Sequence, residues 1–242
     1  MSIFLAGAGP DPEAFPELFD RFVQDVQART GGERSARIAV AVHHRGGNPG
    51  EVLREYAEPL LARGPLEVVP VLLKAGCPAD PAVFGGVHGL VVGGGLTPAY
   101  WDGLGASAAA ISRLIAGGVP YLGFSAGAMV APGRALIGGY LINGTEVCGG
   151  ECSEDLGEVE IRDGLGLAPF AVDVHAAQAG TLSRAVAAVA AGLVDRAVAV
   201  DEDTALVLAA AGDHSFEVLG SGHCWDIRRS GPRCSVSVLR RS

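Results

Sequence analysis

Val119-Pro120-Tyr121-Leu122-Gly123-Phe124-Ser125-Ala126-Gly127-Ala128-Met129-Val130 joins an apolar run of strand length to a small-residue segment that can start a helix. Between the two lies Gly-x-Ser-x-Gly, the pattern that lifts a serine hydroxyl above a sheet on a strained turn whose crowding only small neighbours relieve. The backbone N–H of Ala126 then points toward a developing oxyanion, aided by the positive end of the following helix. Taken alone, the pentapeptide marks either such a nucleophile turn or a tight strand-to-helix turn with an idle serine.

Upstream, strand-length apolar runs alternate with helical patterns, which is the signature of parallel βαβ units and of an α/β fold. Strands are predicted at Ile3 to Ala6, Ala36 to Val42, Leu66 to Leu73, Gly89 to Val92 and Val119 to Phe124. Between them Phe15, Leu18, Phe19, Phe22, Val23 and Val26 recur at helical spacing. Asn48-Pro49, with Glu51 beyond the cap, starts a helix whose buried stripe is Val52, Leu53, Tyr56, Leu60 and Leu61. Pro98 to Ala116 and Leu182 to Leu193 read as helices. Gly138 to Gly166 reads as an irregular connection rich in acids, and the alternation of Cys234, Val236 and Val238 reads as an antiparallel C-terminal edge. No linker or repeat interrupts the 242 residues, so one domain is expected.

A net charge of −9, with 18 scattered basic residues, offers no face for a phosphate backbone and argues against nucleic acid as a partner. No stretch approaches a membrane span, and the first nine residues lack a basic leader segment, so a cytoplasmic protein is expected, with no membrane partner. The odd set of 5 cysteines contains no C-x-x-C pair, which disfavours a disulfide framework or a zinc site. The histidines lack ligand spacing, so neither metal nor cofactor is expected.

A serine nucleophile needs a base. His175 ends the apolar run Phe170-Ala171-Val172-Asp173-Val174, downstream of Ser125; a buried, satisfied histidine is the alternative. Four features then resemble the cyanophycinase and peptidase E family: Ser125-Ala126-Gly127-Ala128, the run Gly93-Gly94-Gly95 after a strand, Gly164-Leu165-Gly166-Leu167 followed by Asp173-x-His175, and Val200-Asp201-Glu202-Asp203-Thr204-Ala205. The resemblance spans about Ile38 to Asp226.

That resemblance implies a class I glutamine amidotransferase-like fold with a mostly parallel sheet flanked by helices. It implies a serine peptidase with Ser125 as nucleophile, His175 as general base, and a carboxylate from the acidic connection. The family's spacing lands at Glu151, with Glu146 and Glu154 within reach. It also implies an oxyanion hole formed by Ala126 and by Gly94 or Gly95, where glycine lets the backbone come close.

Most of the arginines that cyanophycinases use are missing here, and only Arg184 corresponds to them, so cyanophycin itself is disfavoured. Leu96-Thr97 also replaces the polar amide that peptidase E members carry after the glycine run. The expected substrate is a small peptide or related amide, with Arg184 and the loop residues His44 or Arg45 as candidate binding residues. A homodimer is left open.

The alternative is a catalytically silent binding member of the same fold. A dinucleotide-binding oxidoreductase is suggested by Gly7-Ala8-Gly9 but opposed by Pro10-Asp11-Pro12 where the fingerprint needs its third glycine. A glutamine amidotransferase is disfavoured because serine stands where those enzymes use a thiolate.

Overall fold

The computed structural model describes residues 2–31, 35–44, 46–231 and 233–241. Arg45 lies outside the described residues. The first half alternates as expected: β1 (Ile3–Ala6), α1 (Pro16–Ala28), β2 (Ala36–His43), α2 (Pro49–Leu61), β3 (Leu66–Leu73), β4 (Gly89–Val92), α3 (Thr97–Gly105), α4 (Ala108–Ala116), β5 (Tyr121–Phe124) and α5 (Ala126–Val130). The helix expected over Pro98 to Ala116 is two helices. Ser107, at the junction, turns its hydroxyl onto the Ala79 carbonyl at 2.7 Å and its N–H onto Leu104, so the second helix starts afresh.

β1 to β5 form the parallel part of a seven-stranded sheet ordered β13-β12-β1-β5-β4-β2-β3, in which β12 (Thr204–Leu208) and β13 (Glu217–Gly220) run antiparallel at one edge. The four residues of β1, β4 and β5 are all buried. Successive side chains serve opposite faces: Ile3 and Leu5 join one core, Phe4 and Ala6 the other. This two-sided burial is why these strands read as unbroken apolar runs. On one face α1 and α2 bury Phe19, Phe22, Tyr56 and Leu60. Leu61, expected in that stripe, is 43% exposed because it falls at the end of the helix, beyond the covered face.

The other face carries α3 to α5 and a second sheet. Its order is β10-β11-β14-β15, with β10 (Ala171–Val174) parallel to β11 (Arg196–Val200), and β14 (His223–Ser230) and β15 (Arg233–Arg240) antiparallel. The C-terminal alternation therefore edges the second sheet and not the main one. α6 (Leu182–Ala190) links β10 to β11 and ends three residues earlier than expected.

The acidic connection is more regular than its composition suggested. It holds β6 (Arg134–Gly138) paired with β9 (Glu160–Asp163), and the hairpin β7 (Leu141–Ile142) with β8 (Thr145–Glu146). Gly164 to Leu167 ties it down: Leu165 and Leu167 donate to the carbonyls of Val130 and Ala131 at the end of α5.

The two sheets meet where β1 ends. Gly7 donates to the Thr204 carbonyl and accepts from the His175 N–H, and a Cβ on Gly7 would stand 2.1 Å from the Asp201 carbonyl oxygen. Gly7 thus serves a backbone seam, whereas a side chain at Gly9 would meet no neighbour within 4 Å. Gly7→Ala is expected to lower stability by about 1–3 kcal/mol, the range for overpacking a tight site, measured by urea unfolding. An unchanged midpoint would remove the seam.

Candidate active site

Ser125 sits between β5 and α5 at φ 47° and ψ −107°, a conformation that side-chain-bearing residues rarely hold. Its N–H donates to the Ala6 carbonyl at 3.0 Å, and its carbonyl accepts from Ala128 and Met129. The flanking glycines are needed sterically. A Cβ at Gly123 would lie 2.6 Å from the Gly127 carbonyl carbon, and one at Gly127 would lie 2.3 Å from the Val92 carbonyl oxygen.

Ser125 Oγ lies 3.0 Å from His175 Nε2, and His175 Nδ1 lies 2.7 Å from Glu202 Oε1. Ionised Glu202 can only accept, which places the imidazole proton on Nδ1 and leaves Nε2 to accept from the serine hydroxyl. His175 follows β10 and Glu202 follows β11. Because these strands are parallel neighbours, their ends deliver the two side chains side by side.

The carboxylate beside His175 is therefore Glu202 and not Glu151, which occupies an exposed single turn at Gly150–Cys152. The other two acids expected within reach are also placed elsewhere. Glu146 is exposed on β8, and Glu154 accepts the Thr97 N–H at 2.8 Å, capping α3. Glu202 had a signal in the sequence, the acid cluster Asp201-Glu202-Asp203 directly after an apolar strand. Its use depends on which strand lies next to β10, and spacing along the chain does not report that. Asp201 turns inward and is saturated by the N–H groups of Ala177 and His223 and by the side chains of His223 and Trp225. Gln178 accepts the Glu202 N–H at 3.0 Å, so the loops bearing base and acid are tied together.

Arg184, expected at the substrate, is 1% exposed and turned into the core. It makes a bidentate pair with Asp173 at 2.9 and 2.6 Å and donates to the carbonyls of Gly139 and Cys152. Burial alone would lower the guanidinium pKa; Asp173 more than offsets this and raises it. With its donors engaged it holds β10, α6 and the acidic connection together. Thr97 is likewise buried, its hydroxyl directed at Met129 Sδ, so it presents no polar anchor.

Of the expected oxyanion donors, Gly94 N–H is engaged by the Tyr56 hydroxyl at 2.8 Å. The N–H groups of Gly95 and Ala126 have no acceptor among the described residues. α5 has only five residues, so its dipole adds little and the Ala126 N–H itself matters. His44 lies at the C-terminal end of β2, on the same sheet edge as the glycine run, its ring stacked on His43 at 6.3 Å. Among the described residues, no cluster of three or more His, Cys, Asp or Glu could hold a metal ion, and no helix is long and apolar enough to cross a membrane. The five cysteines are free thiols.

This architecture, a mostly parallel sheet flanked by helices with antiparallel strands at the edge, is that of the peptidase E-like structures, as the resemblance implied. A peptidase from an acI-B1 actinobacterium superposes with a TM-score of 0.73 at 18% identity, over 100% of this chain and 94% of that one. A protein described as a candidate peptidase E from Listeria monocytogenes EGD-e gives a TM-score of 0.58 at 15% identity, over 91% of this chain and 98% of that one. No protein-family model and no curated protein sequence matches the chain.

Two expected outcomes separate structural from substrate-facing roles. Arg184→Leu leaves Asp173 buried and unpaired and is expected to cost about 3–5 kcal/mol in chemical denaturation. Native stability in that variant would return Arg184 to the substrate. Burial raises the Glu154 carboxyl pKa, only partly opposed by the Thr97 N–H and Arg184. A raised folded pKa means the carboxyl favours the fold at low pH, and that contribution is lost as pH rises through the raised value. Glu154→Gln cannot ionise, so its melting temperature should exceed the native one at neutral pH and the gap should close in acid. A gap independent of pH contradicts this.

Proposed function

We propose that the protein is a serine-nucleophile hydrolase that cleaves an amide bond in a small peptide or related compound. The continuous Ser125–His175–Glu202 hydrogen-bonded relay carries the reading. Ser125 Oγ attacks the carbonyl carbon while His175 Nε2 takes its proton, and Glu202 stabilises the imidazolium that forms. The N–H groups of Gly95 and Ala126 take the oxyanion, where each donor is worth roughly 3 kcal/mol of barrier. His175 then gives the proton to the departing amine, and water releases the acyl group by the same route in reverse. Structural neighbours named as peptidases support the amide bond as target, and the engagement of Arg184 by Asp173 speaks against cyanophycin as substrate.

Treatment with a fluorophosphonate, followed by mass spectrometry of peptides, is expected to give one adduct on Ser125 that is lost in His175→Ala. Glu202→Gln is expected to slow labelling by about 10⁴-fold through loss of the ionised partner that sets the tautomer, whereas Glu151→Gln labels at the native rate. Absence of any adduct on the native protein would instead favour a silent binding member of this fold.

A further inference from the structure

The loop Gly93-Gly94-Gly95 is held by more than its own turn. Gly94 lies against the nucleophile: a Cβ there would stand 3.1 Å from Ser125 Cβ and 3.3 Å from Tyr56 Oη. A side chain there would crowd both, and a backbone this bare has no packing of its own to fix its orientation. Besides main-chain bonds at Gly93, two phenols on opposite faces of the main sheet bond it. Tyr56, from α2, belongs to one core, and Tyr100, from α3, to the other.

Each peptide unit of the loop is pinned. The first comprises the Gly93 carbonyl and the Gly94 N–H. Its oxygen accepts from the Gly127 N–H at 3.1 Å, and its N–H donates to Tyr56 Oη at 2.8 Å. The second comprises the Gly94 carbonyl and the Gly95 N–H. Its oxygen accepts from Tyr100 Oη at 2.8 Å, and the same phenol oxygen accepts from the His43 N–H at 3.1 Å. In a trans peptide the carbonyl and the following N–H point in opposite directions. Fixing the Gly94 oxygen on Tyr100 therefore aims the Gly95 N–H away from that phenol and forbids the flip that glycine would otherwise allow. Burial raises the pKa of both tyrosines, so each remains a neutral phenol able to play its part. The Tyr56 ring also packs edge-on to Phe124, the residue before the nucleophile, at 5.4 Å.

We propose that Tyr100 and Tyr56 are positioning residues that lock the two glycine peptides, withdrawing the Gly94 N–H from the site and holding the Gly95 N–H as the loop's donor to the oxyanion. This rests on the serine hydrolase reading above. Neither phenol contacts the reacting atoms; both act through the loop backbone.

The test is saturation kinetics of fluorophosphonate labelling at Ser125, in the native protein, Tyr100→Phe, Tyr56→Phe and the double variant, with melting temperatures measured alongside. Tyr100→Phe is expected to lower the maximal labelling rate about tenfold, a fraction of the loss on deleting an oxyanion donor outright, with the half-saturating concentration unchanged. Tyr56→Phe should lower it less, and the double variant more than either. Tyr56→Phe removes a single hydrogen bond and carries the test if Tyr100→Phe does not fold. Native maximal rates, or a loss confined to the half-saturating concentration or the melting temperature, overturn the proposal while the hydrolase reading stands. An unlabelled native protein overturns both.

Discussion

The positive φ of Ser125 is the constraint around which the rest of the site is built. Such a backbone costs on the order of 1–3 kcal/mol and persists only where its surroundings over-determine it. Here they do so through main chain alone. β1 accepts the serine N–H, the Gly93 carbonyl just after β4 accepts from Gly127, and the first turn of α5 bonds back to the serine carbonyl. Contacts this close exclude Cβ atoms at Gly123 and Gly127, so the glycines follow from the strain and not from flexibility. The serine comes out 9% exposed, open enough for its hydroxyl to reach one neighbour and too enclosed to wander.

A second sheet supplies that neighbour. Ser125 belongs to the seven-stranded sheet, whereas His175 and Glu202 end two adjacent strands of the four-stranded one. The relay therefore depends on the seam between sheets, which is a backbone seam: the His175 N–H bonds the Gly7 carbonyl, and Gly7 is held in turn by its N–H on Thr204 of the main sheet. His175 is itself at φ 56°, so base and nucleophile share the device of a side chain aimed by a rarely populated backbone. Behind them the buried Asp173–Arg184 pair fixes the strand that bears the base. Such a pair adds little net stability compared with apolar packing, but losing one partner is expensive, which gives it a role in specifying geometry.

The acids of the connection between β6 and β9 show how composition can mislead. Glu154 caps a helix, and Glu158 accepts the N–H groups of Asn143 and Gly144 at 3.0 Å each. Loops expose backbone donors that need acceptors, and nearby carboxylates meet that need first. An acid-rich loop is thus a place where carboxylates are consumed by structure. The relay acid comes from a short loop after a strand, where Gln178 and Asp201 have already satisfied the neighbouring donors and leave the Glu202 side chain to His175.

Much of the fold was legible because burial on both faces of a parallel sheet writes unbroken apolar runs between amphipathic helices, and Ser125 and His175 stood out as polar residues ending such runs. The sequence alone determined the strand-turn-helix at Ser125, since its glycines answer a local steric demand, and it determined the α/β alternation, since periodicity is local too. What only the tertiary structure decided is which distant groups meet there. Glu202 in place of Glu151, Arg184 in the core, and the Gly94 N–H taken by Tyr56 all follow from strand order and sheet-to-sheet packing. Those are contacts between residues far apart in the chain, and neither periodicity nor spacing carries a record of them.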